Sequence, residues 1–275
     1  MLSWIPAWTE QGGAAAIKKA AEAGFDLLEI SLPEDLDVDV TALREQLPAA
    51  GIEACFSVLL PASCHLPRYP EKALTHLKAA IDLVSRAGGD FLGGVFYGSI
   101  GVFSGAARTP RETETIAGVL REAAAFATDR GITLALEPVN RYESYLVTSA
   151  AEALAFIREV ASPGLALMLD TFHMNIEESN FYDPLLAGRS HLKYVHLSGS
   201  DRGLPGEDHI PWDEFFRGLA DIGYRGDVVL ESFTSQAPGL AGKTSLWRRS
   251  PYAPDQLAAA SLRFMRQKAG QYGLN

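Results

Sequence analysis

One local pattern recurs along the chain and restricts its fold more than any other feature. A stretch of helical period, rich in Ala and Leu, ends near a glycine, and a short apolar run follows. AAIKKAAEAGFDLLEIS shows it with Gly24, LREQLPAAGIEACFSVLL with Gly51, and LKAAIDLVSRAGGDFLGGVF with Gly88 and Gly89. LREAAAFATDRGITLALEP uses Gly131, EALAFIREVASPGLALMLD uses Pro163 and Gly164, and FFRGLADIGYRGDVVLESF uses Gly223 and Gly226. Glycine just past a helix accepts the left-handed conformation that closes it. The apolar runs do not alternate, as expected of parallel strands covered on both faces.

LSWIPAW at the start and LKYVHLS near residue 195 bring the expected strands to eight. PDQLAAASLRFMRQKAG is expected to close the chain as a helix. Eight β–α units in 275 residues predict an α/β fold, the (β/α)8 TIM barrel, which typically takes about 250 residues. A doubly wound open sheet is the rival, but no GxGxxG follows the first expected strand. No linker composition interrupts the pattern, so one domain spanning 1–275 is expected.

With 47% hydrophobic and 21% charged residues, the chain can bury a sizeable core. A net charge of −10 and the lack of any Lys/Arg run argue against a nucleic-acid partner. Cys55 and Cys64 have neither a disulfide-framework nor a zinc-ligand spacing. Cys55, inside a strand-like run, reads as a buried small hydrophobe. MLSWIPAWTEQGG has no basic region followed by an apolar stretch, so it does not read as a signal peptide. No apolar run reaches the ~18 residues of a membrane span. A cytoplasmic protein with no membrane partner is the expectation.

The chemistry concentrates where strands end. LALE closes on Glu137, LALMLD on Asp170, LKYVH on His196 and VVLE on Glu231. Singly, each has an ordinary explanation: a salt-bridged glutamate, an aspartate capping the next helix, a hydrogen-bonded core histidine. Four consecutive strands ending this way need one common cause. Strand C-termini of a barrel converge on the face where active sites are built. Three converging carboxylates repel and raise each other's pKa, and a divalent cation relieves that. Three oxygen donors and one imidazole suit Mn²⁺, Mg²⁺ or Co²⁺ rather than a structural zinc. Four protein ligands leave about two octahedral positions for substrate oxygens. Asn140, Arg141, Glu143, His173, Asp201, Arg202 and His209 follow these strand ends on expected loops, where specificity residues belong. Asn140 and Arg141 read as solvated loop residues.

LEPVNRYE, LMLDTFHMNIEE, VHLSGSDRGLPGEDHIPWDEFF and GYRGDVVLESF resemble the ketose 3-epimerases. These are the D-tagatose, D-psicose (D-allulose) and L-ribulose 3-epimerase group of the xylose-isomerase-like TIM barrels. The resemblance is strongest over residues 132–235. It implies an isomerase that binds a small-molecule ketose and one divalent metal ion per subunit, Mn²⁺ foremost. It implies Glu137, Asp170, His196 and Glu231 as metal ligands, with Glu137 and Glu231 also the acid/base pair. Glu143, His173 and Arg202 match sugar-binding residues. Trp8, Glu29, Cys55 and Tyr97 fall where sugar-contacting side chains would lie. The family's tendency to dimers and tetramers implies a homodimer or homotetramer.

The chemistry implied is removal of the proton at C3 beside a carbonyl and its return to the other face, through an enediolate. A metal chelating O2 and O3 would act as a Lewis acid, and two bases would flank the flat intermediate. The fifth and eighth expected strands lie roughly 135° apart on an eight-strand ring, which places Glu137 and Glu231 suitably. Three readings compete: an aldose–ketose isomerase of hydroxypyruvate-isomerase type, a metal-dependent DNA repair endonuclease, and a non-catalytic sugar-binding module. The endonuclease needs more metal ligands and a basic groove, against six His and the acidic balance of this chain.

Overall fold

The first three helices of this chain end on glycine. The computed structural model describes residues 1–274. Helices α1 (Glu10–Ala23), α2 (Val40–Ala50) and α3 (Pro70–Ala87) close on Gly24, Gly51 and Gly88, each left-handed with its N–H turned back to the last helical turn. Thr9, Asp39, Thr109 and Ser149 accept from first-turn amides at the N-termini of α1, α2, α4 (Pro110–Thr128) and α5 (Ala150–Val160), as N-caps do. Helix α5 departs from expectation, because Ala161 rather than Gly164 adopts the left-handed cap, with φ 51°. Gly164 is needed for space instead: a Cβ there would meet Thr128 Oγ1 at 2.2 Å and Ala124 O at 2.7 Å.

Strands β1 (Leu27–Ser31), β2 (Glu53–Leu59), β3 (Phe91–Val95), β4 (Thr133–Leu136), β5 (Leu165–Asp170), β6 (Leu192–Leu197) and β7 (Asp227–Leu230) form one parallel sheet in sequence order. Helices cover its outer face and the sheet curls into a nearly closed TIM barrel. Helices α6 (Thr171–Glu177) and α7 (Asp183–Gly188) follow β5, α8 (Trp212–Asp221) follows β6, and short α9 (Leu240–Lys243) with α10 (Pro254–Gln271) follows β7. The largest apolar cluster lies between strands and helices. A separate one, with Cys55, Ala135, Ala166, Met168, Tyr194 and Val229, fills the barrel interior. No described helix is long and apolar enough to cross a membrane.

The expected first strand is absent, so seven strands, not eight, are seen among the described residues. LSWIPAW folds into turns: the amides of Trp4 and Ile5 return to the Met1 carbonyl, and Pro6 has no amide to give a ladder. The segment instead lies across the seam between β7 and β1. There the Met1 ammonium donates to the Glu29 carbonyl, and Ser3 Oγ donates to the Ser232 carbonyl. A cavity of about 560 Å³ lies along this seam, lined by residues 25–29, residues 226–230 and apolar residues of α10. β7 and β1 do not pair with each other there, and on β1 the Glu29 carbonyl is already taken by Met1. An apolar extension joined to the Met1 nitrogen, matching the five residues of β1, is expected to seat as a strand. It should raise the melting temperature by about 5 °C over a Gly/Ser extension of equal length. Equal melting temperatures would show that the seam accepts no strand.

Candidate metal centre

Glu137 and Glu231 are the first residues beyond β4 and β7, Asp170 ends β5, and His196 is the penultimate residue of β6. Asp170 lies level with His196, and His196 with Val229. Side chains alternate along a strand, so Glu231 shares the inward face of Val229. One ligand atom from each of Glu137, Asp170, His196 and Glu231 lies within 4.8 Å of all the others. His196 Nδ1 is 3.6 Å from Glu137 Oε1 and 3.5 Å from Glu231 Oε2. That nitrogen is buried and has no hydrogen-bond partner. Asp170 divides its labour: Oδ1 caps α6 through the Phe172 amide, and Oδ2 faces the cluster. The capping reading of Asp170 is therefore realised by one oxygen, and the other is left toward the cluster.

Burial, with Glu231 and Asp170 nearby, pushes the Glu137 carboxyl up to about 7. Burial also raises Asp170, and Arg202 only partly offsets it. Burial opposes ionisation of Glu231 too, but Arg202 and His196 outweigh it and hold that carboxyl at about 2. A cluster of three carboxylates around an unpartnered imidazole nitrogen fits a hard or borderline divalent cation. The donor set contains no thiolate.

Arg202 caps this cluster. Its Nη1 donates to Asp170 Oδ2 and Glu231 Oε2, both at 2.5 Å. The guanidinium carbon sits 4.0 Å from the Phe172 ring centroid and 5.2 Å from that of Phe233. Its backbone is left-handed, φ 65°, a strain of about 1–3 kcal/mol for a non-glycine residue. The Phe233 amide clamps the turn by donating to the Arg202 carbonyl. His173 stands alongside, its Nε2 3.8 Å from Asp170 Oδ2 and 4.0 Å from Glu137 Oε1. The Asn140 amide donates to His173 Nδ1, so the ring proton must sit on Nε2. Burial holds the ring neutral, its pKa lowered to about 3. The 3.3 Å approach of Arg202 Nη2 to His173 Nε2 is thus donor against donor. Glu143 is half-buried and accepts from Asn140 Nδ2 at 2.9 Å.

Other expectations fare differently. Asn140 is not a solvated loop residue: it is 2% exposed and fixes both His173 and Glu143. Its role had no sequence signal beyond following a strand-end glutamate. Arg141 is exposed, paired with Glu177 at 2.9 Å. Asp201 and His209 are exposed loop residues. Glu29 does not reach toward a sugar site: it lies beneath His196, with Oε2 2.7 Å from Nε2. Cys55 is buried in the barrel against the Tyr194 hydroxyl at 2.9 Å. Tyr97 is fully buried and donates to the Val147 carbonyl. Trp8 is buried, its ring close against Gly13. Thr171 and Ser198, which sequence reasoning passed over, stitch the strand ends: Thr171 Oγ1 donates to the Ser198 carbonyl, and Ser198 Oγ to that of Glu231.

The model of the xylose isomerase-like TIM barrel family matches residues 17–268. An L-ribulose 3-epimerase of Methylomonas sp. (strain DH-1) is 36% identical over 273 residues, covering 97% of this chain and 95% of its own. The chain belongs to the ketose 3-epimerases of this barrel family. A ketose 3-epimerase of Arthrobacter globiformis is 34% identical over 279 residues, covering 97% and 94%. The crystal structure of a Methylomonas D-allulose 3-epimerase in complex with D-allulose superposes with a TM-score of 0.91 at 34% identity, covering 97% and 94%. The seven-stranded ketose 3-epimerase barrel described above thus carries its polar cluster at the strand C-termini, where barrel enzymes place their chemistry.

Proposed function

We propose that this chain, acting as one domain over residues 1–275, epimerises free ketoses at C3. Its residues Glu137, Asp170, His196 and Glu231 would hold one divalent cation, Mn²⁺ foremost, with Co²⁺ or Mg²⁺ as substitutes. The observation carrying the reading is the convergence of these four ligand atoms within 4.8 Å, with glutamates as the outer two. The cation, when bound, supplies Lewis-acid polarisation of the ketose oxygens. Proton transfer falls to the glutamates: one takes the C3 proton, the other returns a proton to the opposite face. Each has two carboxylate oxygens, one for the cation and one for the proton. His173 presents its Nε2–H as a donor to a sugar oxygen, and Arg202 supplies a second donor, both aiding developing negative charge. Glu143 accepts from a sugar hydroxyl. Three carboxylates against one divalent cation leave about one negative charge, which Arg202 offsets. That balance suits an uncharged sugar better than a sugar phosphate.

The relatives named for L-ribulose and D-allulose support a ketopentose or ketohexose substrate. Turnover of a panel of both, with Mn²⁺ added, should identify it. In D₂O the product should carry deuterium at C3; deuterium at C1 alone would indicate an aldose–ketose isomerase instead. The proposal extends to a cytoplasmic homodimer or homotetramer, resting on the family resemblance, and light scattering of the purified chain tests the assembly.

A further inference from the structure

We propose that Glu29 is a positioning residue for the metal centre: its carboxylate, gripped from the barrel interior by Ser57 and Tyr194, sets the orientation and tautomer of His196. The inference rests on the metal-centre reading above and deepens it. Glu29 lies in the middle of β1, level with Cys55 of β2, and is 8% exposed. Its carboxylate receives three contacts. Ser57 Oγ donates to Oε1 at 2.9 Å, Tyr194 Oη donates to Oε2 at 2.5 Å, and His196 Nε2 lies 2.7 Å from Oε2.

The proton inventory of this group is determinate. An ionised carboxylate only accepts, so Tyr194 spends its single hydroxyl proton on Glu29. Cys55, 2.9 Å from that hydroxyl, must then be the donor to it. His196 must place a proton on Nε2 to satisfy Glu29, which leaves its Nδ1 lone pair facing Glu137 and Glu231. Free imidazole divides its single proton between two nitrogens; here the hydrogen bond selects one. Packing fixes the plane of the ring as well. Tyr194 meets His196 edge-on at 5.4 Å, and Phe91 stacks beneath Tyr194 at 4.5 Å. A carboxylate behind an imidazole also makes the exposed nitrogen a stronger donor to a cation. Without Glu29, His196 Nε2 would face a buried barrel interior unpaired, and the ring would be free to turn its other nitrogen toward the cluster.

Mn²⁺ titration of the full chain, read by the free-ion paramagnetic resonance signal, tests this without relying on turnover. Glu29→Gln keeps the side-chain shape and removes the charge. It is expected to raise the Mn²⁺ Kd by about 10–100-fold. Tyr194→Phe removes one of the three contacts and should raise it by about fivefold. Cys55→Ala, one hydrogen bond further away, should leave it unchanged. A Glu29→Gln Kd within twofold of the parent overturns the inference. So does a loss of affinity that tracks the metal-free melting temperature across all three variants, since that is the mark of general loosening. Should Glu29→Gln not fold, Tyr194→Phe decides, and an unchanged Kd there overturns it. A parent chain that binds no Mn²⁺ overturns the metal-centre reading itself, which is a distinct result.

Discussion

Glu231→Gln should lower kcat for C3 epimerisation by about 10²–10⁴-fold, the range of a lost general base. The substitution keeps an oxygen where the carboxylate stands, so the centre keeps a donor there while losing the group that accepts the substrate proton. Glu137→Gln should cost a similar factor, because the reaction needs a group on each face of the sugar. The double variant should be little worse than either single one, since two residues serving one proton exchange are not additive. The side effects differ. Glu231 accepts from Arg202 at 2.5 Å, so its replacement also weakens the hold on a guanidinium that Asp170 alone then pairs with as an ion, and KM should rise. Glu137 has no arginine partner among the described residues, and its replacement should act mainly on kcat. Steady-state rates on the preferred ketose, with bound metal measured in parallel, check both. Near-parental kcat in Glu231→Gln with metal still bound would remove it from the proton-transfer role.

Chelation is the second large effect. Dialysis against EDTA should abolish turnover, and Mn²⁺ should restore it. Glu137 and Asp170 are 6% and 1% exposed, and buried carboxylates resist ionisation without a compensating charge. The fold should survive removal of metal, because Arg202 bridges Asp170 and Glu231, and Glu29 holds His196. A ligand at about 100 times its Kd stabilises by about 2.7 kcal/mol. At ~2–4 °C per kcal/mol for a chain of this size class, the melting temperature should rise by about 5–10 °C on adding Mn²⁺. Reconstitution with Co²⁺ and Mg²⁺ in turn ranks the metals. Full activity in a chain shown by elemental analysis to hold no metal would refute the centre.

The barrel and the cluster were legible for the same reason. Helix stops at Gly24, Gly51 and Gly88 and non-alternating apolar runs are local patterns, and a parallel sheet converts strand order into position. Once β4 to β7 stand side by side, Glu137, Asp170, His196 and Glu231 must meet at one rim. Their residue types then suit a divalent cation. Residues 2–8 misled, because an apolar run with aromatics resembles a strand until Pro6 and the return of the Trp4 and Ile5 amides to Met1 are weighed.

By itself, then, the sequence determined the repeating β–α plan, the family and the four converging side chains, because each is written in short-range pattern and strand order. Only the tertiary structure decided what stands behind and above them. Glu29 is 167 residues from His196 and Asn140 is 33 from His173. Those pairings depend on which side chains the closed barrel turns inward at one level, and no periodicity in a linear chain records that.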